Sequence, residues 1–323
     1  MVVAPVPKSM HRSRKLFWNR LIDRSFRWTT LLFALTIPVI IFALVLLLGR
    51  FAFPAMHQYR WAFLYTSIWD PVHQHFGVLF AIYGTIISSC LALLIAVPVS
   101  LGTAIFLAEL APSWLREPLS FLIELLAAIP SIVYGIWGLL VLVPMLRIVE
   151  LWLSVHFPTC PLFNGAPYGT GMLAAGIVLA VMILPYITAV SREVIRAVPI
   201  TQREASLALG ATQWETISRP VLRYARTGIL GAIILGLGRA LGETMAVAMV
   251  IGNRADISAC IFNPAYTIPS LLANEFAEAS DKLHYASLVE GALVLVVLTI
   301  IINVIARLLI WSVSGGESQE VHG

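Results

Sequence analysis

The sequence predicts an all-α, polytopic membrane protein with about six transmembrane helices, and three observations carry that expectation. The 323 residues are 59% hydrophobic and only 12% charged, more apolar surface than one soluble core can hide, so lipid must be part of the solvent. Six stretches are long and apolar enough to cross a hydrocarbon layer, which takes about 20 helical residues rising about 1.5 Å each with every backbone hydrogen bond closed internally. The basic residues are distributed unequally about those stretches.

Residues 1–27 form a basic N-terminal segment carrying seven Lys and Arg between Lys8 and Arg27. The apolar run that follows, Trp28 to Leu48, is too long for a signal-peptide core and lacks a small-residue cleavage site, so it reads as an uncleaved first span. Residues 28–76 then comprise this helix and an outer loop. Residues 77–312 are expected to form the main transmembrane domain. Its spans run approximately Gly77 to Ala108, Leu119 to Leu146, Gly171 to Ser191, Gly228 to Gly252 and Tyr285 to Trp311. The second and third spans exceed one crossing, which predicts tilting, extension into water, or bending near Pro98 or Pro130. Residues 313–323 are a short polar tail. The loops Gly49 to Phe76 and Arg147 to Thr170 are too short for catalytic domains.

Arg supplies 18 of the 21 basic residues, and 15 of the 21 fall on one side of the predicted spans. Arg50, Arg60, Arg147, Arg254 and Lys282 fall on the other, which places both termini and the loop at about 192–227 in the cytoplasm. The net charge of +4 is therefore a topology signal, with no nucleic-acid footprint. Trp28, Trp69, Trp152 and Trp311 lie near span boundaries, where an indole buries its ring and keeps its N–H wet. Cys90, Cys160 and Cys260 have no metal-like spacing and the seven His are scattered, so no metal site or catalytic residue is expected. Cys160 and Cys260 share the outer side and could pair if their loops meet.

Residues 201–215 read TQREASLALGATQWE. Thr201 with Glu204, and Thr212 with Glu215, have capping-box spacing, and Gly210 falls between them. That predicts helix, glycine turn, helix. With Arg203, Arg219, Arg223 and Arg226 around it, such an elbow suits either docking into a partner's groove or service as a stiff connector.

Span five contains GLGRALGETMA at 236–246, placing Arg239 and Glu243 four residues apart and on one helical face, where they can pair. Arg239 lies about 16 Å along a helix from Gly228, near the bilayer middle, where a lone charge costs about 3 kcal/mol or more. It should therefore face protein or water. Two readings follow: a buried packing bridge, or a path-lining Arg that meets an oxyanion while Glu243 holds the guanidinium and limits its grip. The guanidinium fork suits phosphate oxygens. Gly228, Gly231, Gly236, Gly238 and Gly242 are expected to serve helix packing. Glu124 is expected at the interface, while Glu290 must find a donor or stay protonated.

Three segments carry a family resemblance. ELLAAIPSIVYGIWG at 124–138, GRALGETMAV at 238–247 and ANEFAEA at 273–279 resemble the permeases of phosphate ABC importers, specifically the PstC-type subunit. Sulfate and molybdate permeases carry a similar RALGE core, so Thr244-Met245-Ala246 is the more discriminating part. EAS at 204–206 followed by Gly210 resembles the EAA loop, by which Glu204, Ala205 and Gly210 take the positions that seat on the ATPase. Where that pattern expects Ile-x-Leu-Pro, this chain has Pro220, Val221, Leu222 and Arg223.

The resemblance implies a type I ABC-importer permease forming half of a phosphate path in the bacterial inner membrane, with Arg239 and Glu243 in that path. It also implies a PstA-type permease partner, two PstB-type ATPases and a PstS-type binding protein. No cofactor is expected in this chain; ATP and Mg would be used by the ATPase, and the sequence has no GxxxxGK[ST] phosphate loop. The alternatives are a sulfate or molybdate permease, an ion-coupled secondary transporter using Glu124, Glu243 and Glu290, or a membrane-embedded enzyme.

Overall fold

The computed structural model describes residues 9–314, and side chains over 23–311. The chain divides into two units, Met1–Phe51 and Ala52–Gly323. The first consists of the greater part of helix α1, Ser9–Tyr59. Its apolar side chains, Leu32, Phe33, Ile40 and Phe42 among them, are exposed all round, as a helix solvated by lipid requires. The predicted first span is thus extended to Tyr59.

The second unit opens on the end of α1 and the short α2, Ala62–Tyr65. It continues with an antiparallel hairpin, β1 (Trp69–Asp70) against β2 (His75–Phe76), in register Trp69↔Phe76. The expected outer loop is therefore partly helix and partly ribbon. Helix α3 runs Leu79–Ile105 with Pro98 inside it and closes in a π-helical turn, Phe106–Leu110.

The predicted third span is corrected. Leu119–Leu146 is not one helix: α4 covers Ser113–Ala128, Ile129 and Pro130 are extended, and α5 covers Ser131–Trp137. A π-helical turn, Gly138–Leu142, joins α5 to α6, Val143–His156. The membrane-length helical stretch is Ser131–His156. Proline cannot donate a backbone hydrogen bond and drives the residue before it to extended angles, so the apolar run breaks at Pro130 while its composition stays continuous.

Helix α7, Met172–Arg196, is the centre of the unit. Its Val178, Leu179, Ile183 and Ile187 are buried against Ala92 and Ala96 of α3 and Ala232 of the fifth span. The small residues on α3 allow close approach, and the Ser100 hydroxyl donates to the Leu184 carbonyl at 3.1 Å across the contact. After α7 come α8 (Ile200–Ala208), α9 (Gln213–Thr216) and a π-helical turn, Ile217–Val221. The fifth span is corrected as well: α10 covers Leu222–Leu241, three residues are irregular, and α11 covers Met245–Val250. Helix α12, Ile268–Glu275, precedes the sixth span, α13, Lys282–Ser314.

Among the described residues, six helical stretches are long and apolar enough to cross a membrane. The loops carrying Cys160 and Cys260 do meet, Ile261 N–H donating to the Leu162 carbonyl at 3.1 Å, and both thiols are free.

Candidate translocation path and coupling surface

Two broken helices face one another. Around the first break, the Tyr134 hydroxyl donates to the Leu126 carbonyl at 2.7 Å and the Tyr186 hydroxyl to the Ala127 carbonyl at 2.9 Å. These bonds satisfy acceptors that lose helical partners where α4 stops. At the second break, the buried Glu243 carboxylate accepts from the Ala246 N–H at 3.4 Å, meeting the first turn of α11. The pieces α5 and α11 then pack directly: a side chain at Gly135 would overlap Ala246 and Met249, and one at Gly138 would overlap Val178 and Val250. Irregular backbone inside a membrane survives only where protein buries it or a water-filled cavity adjoins it. The two breaks lie together where α5 meets α11.

Arg239, in the last turn of α10, lies beside this place. Its guanidinium carbon sits 4.5 Å from the Tyr186 ring centroid, a cation–π contact. The same Tyr186 bonds the broken end of α4, so one residue links the charge to the helix break. Arg239 lines a cavity of about 550 Å³ together with Tyr186, Asn303 and Arg307, and its Nε has no hydrogen-bond partner.

The predicted Arg239–Glu243 pair is corrected: no ion pair joins them among the described residues, and Glu243 is 9% exposed with its carboxylate on Ala246 N–H. The physical reason is that α10 ends at Leu241, so four-residue spacing across Gly242 no longer sets two side chains on one face. The glycines divide too. Gly228 faces Val194 and Gly236 faces Ile187, as packing requires, whereas Gly231 and Gly238 meet nothing within 4 Å and border the cavity. Arg307 was read only as a topology charge; its signal was its position four residues after Asn303 inside the sixth span.

On the other functional segment the elbow forms with one change. Pro199, with extended angles, sets the start of α8, so Thr201 lies inside the helix and its predicted capping box is absent. The second box is present, Thr212 Oγ1 accepting from Glu215 N–H at 3.3 Å and Glu215 accepting from Thr212 N–H at 2.9 Å. Gly210 has φ +84°, the left-handed turn that glycine tolerates. Glu204 and Ala205 are exposed, and α8 buries no residue. Hydrophobic Leu209 and Trp214 are 89% and 62% exposed beside them.

Arg203, one residue before Glu204, is the tether that sequence reasoning missed. It donates to Glu109 at 2.7 Å and to the Ile195 and Val198 carbonyls, fixing α8 to the ends of α3 and α7. Thr216 donates to the Ser206 hydroxyl at 3.1 Å, joining α8 to the end of α9. The divergent Pro220 falls in the π-helical turn that leads into α10. Glu124 is exposed and pairs with Arg192 at 3.5 Å, where α4 meets the end of α7.

With this geometry, comparison with known proteins is decisive. Residues 100–314 match the family described as "Binding-protein-dependent transport system inner membrane component". The chain belongs to this family. This inner membrane component is 44% identical over 307 residues to a Phosphate transport system permease protein PstC of Pasteurella multocida, covering 94% of this chain and 96% of that one. It is 46% identical over 292 residues to a protein of the same name from Mesorhizobium japonicum, covering 89% of each. Among solved structures it resembles a bacterial alginate ABC transporter, in complex with an alginate pentasaccharide-bound periplasmic protein, with TM-score 0.57, 19% identity and 89% of this chain covered (94% of that one). A MetNI methionine ABC transporter in an inward-facing conformation matches with TM-score 0.53 and 19% identity over 74% of this chain and 94% of that one. At those identities the structures establish the fold. The chain is a multi-pass inner membrane permease component.

Proposed function

We propose that this permease forms half of the translocation path of an ATP-driven importer for inorganic phosphate. The observation that carries the reading is Arg239: a cation held on Tyr186, with an unpartnered Nε, bordering a cavity next to two broken helices. Relatives named as phosphate permeases, 44% and 46% identical, support phosphate as the cargo. Arg239 meets the oxyanion, and Glu243 acts on the path indirectly by holding the start of α11 rather than by gripping Arg239. A permeation site must release what it binds, and a guanidinium without a fixed carboxylate partner exchanges its anion readily.

Glu204, Ala205 and Gly210 form the surface that seats on a separate ATPase, which supplies ATP and Mg; this chain needs no cofactor of its own. Their exposure and the anchoring of α8 through Arg203 support a rigid lever. The assembly pairs this chain with a PstA-type permease, two PstB-type ATPases and a PstS-type phosphate-binding protein, in a bacterial inner membrane with both termini cytoplasmic.

The test is ATP-dependent uptake of labelled phosphate into vesicles holding the assembled complex. Wild type is expected to import phosphate, Arg239→Gln to assemble but lose uptake by about tenfold or more, and Glu204→Lys to uncouple ATP hydrolysis from uptake. Entry of sulfate or molybdate with phosphate ignored would overturn the cargo. Full uptake by Arg239→Gln would remove that residue from the path.

A further inference from the structure

A second cavity, of about 510 Å³, lies within the Ala52–Gly323 unit and plays no part in the proposed path. One wall is a stripe of α13 formed by Glu290, Leu293, Val297 and Ile301, running about 16 Å at helical rise. The other wall includes Arg60 and Trp61, just after the end of α1. Glu290 is 6% exposed, and its Oε2 has no hydrogen-bond partner. A buried carboxyl left without a partner is costly, and native structures rarely tolerate one.

Arg60 lines the same cavity yet forms no ion pair with Glu290 among the described residues. The cavity therefore offers one acid and one base that do not satisfy each other, above an apolar channel along α13. Trp61 is 76% exposed beside them, the placement of an indole at a membrane boundary.

We propose that this cavity is a binding site for one phospholipid whose headgroup carries a primary ammonium, an ethanolamine lipid. Its phosphate meets the Arg60 guanidinium, its ammonium donates to Glu290, and one acyl chain lies along Leu293, Val297 and Ile301. A choline headgroup has no N–H to donate to Glu290, and a glycerol headgroup has no cation. The site thus discriminates by chemistry that each headgroup either has or lacks.

The test uses the full-length chain purified in mild detergent with its co-purifying partners, then reconstituted in nanodiscs of ethanolamine, choline or glycerol phospholipid. Native mass spectrometry counts the lipid retained. Wild type is expected to keep about tenfold more ethanolamine than choline lipid, the effect of one charge-assisted hydrogen bond. Glu290→Gln should bring that ratio close to one with the complex still assembled, while Arg60→Gln should lower retention of both lipids. Equal retention of all three lipids by wild type would overturn the site, as would an unchanged preference in Glu290→Gln. So would a photoreactive side chain placed at Val294, another residue of the cavity wall, if it captured a partner's helix in place of lipid.

Discussion

Tyr186 holds two functions in one side chain, and they can be separated. Its ring carries the Arg239 guanidinium at 4.5 Å, while its hydroxyl donates to the Ala127 carbonyl at the end of α4. Tyr186→Phe keeps the ring and leaves a half-buried carbonyl short of a donor, which costs about 1 kcal/mol. Uptake is expected to fall less than tenfold. Tyr186→Leu removes the face on which the cation rests and should lose much more uptake at equal expression. Equal uptake by the two variants would show that the cation–π contact does not position Arg239. Arg307 shares the Arg239 cavity from α13, so Arg307→Gln is expected to raise the KM for phosphate more than it lowers kcat. Arg307→Lys should retain most of the loss-free behaviour if only charge matters there. Uptake kinetics in vesicles separate these outcomes.

Among the elements, what was legible in the sequence was what composition and local chemistry fix. Long apolar runs located the spans, and the glycine turn at Gly210 and the Thr212–Glu215 box were read from residue type and spacing. A bend near Pro130 was legible but the full stop of α4 at Ala128 was not, because apolar residues continue through it and hydropathy has no sense of backbone angle; the break at Gly242–Thr244 went unread because an unbroken helix was assumed across it. That is why Arg239 and Glu243 were expected to pair. The Thr201–Glu204 box failed for a different reason, since Pro199 starts the helix before Thr201 can cap it. Contacts such as Arg203 with Glu109, distant in sequence, leave no local pattern to read.

The elbow yields a clean test of backbone strain. Gly210 has φ +84° and nothing within 4 Å of the space a side chain would occupy. Gly210→Ala therefore adds only left-handed strain, about 1–2 kcal/mol, and should weaken coupling with the complex intact. Gly210→Asn should be milder, because Asn tolerates that region. Gly135→Ala is different in kind: its new methyl meets Ala246 and Met249, and overpacking there costs about 1–3 kcal/mol. Recovery of thermal stability by Gly210→Asn, with no side chain tolerated at Gly135, would separate the conformational role from the packing one.

Over the whole molecule, the excess of basic residues and the six membrane-length stretches among the described residues predict that both termini lie in the cytoplasm; reporters fused at the C-terminus are expected to be active on that side only, and activity on the other side would reverse the topology. The hairpin ties together segments far apart in the chain. Trp69 donates to Glu275 at 3.4 Å, and Gln74 donates to Asp281 at 2.9 Å. Within the hairpin turn, Asp70 bonds the His73 ring at 2.7 Å and accepts from the Val72 and His73 N–H groups. These bonds, the His73 ring first, hold the Asp70 carboxyl below its ordinary value. Because the folded value is the lower one, the contribution is fully present above the unfolded Asp value of about 4 and fades as pH falls through the folded value. Hydrogen exchange of the hairpin amides should therefore gain no protection from Asp70 as pH rises from 5, and lose it below about pH 4. Asp70→Asn should exchange faster at pH 5 and show a smaller acid-dependent change; an acid profile unchanged by Asp70→Asn would assign the turn's stability to the Trp69 and Gln74 contacts instead.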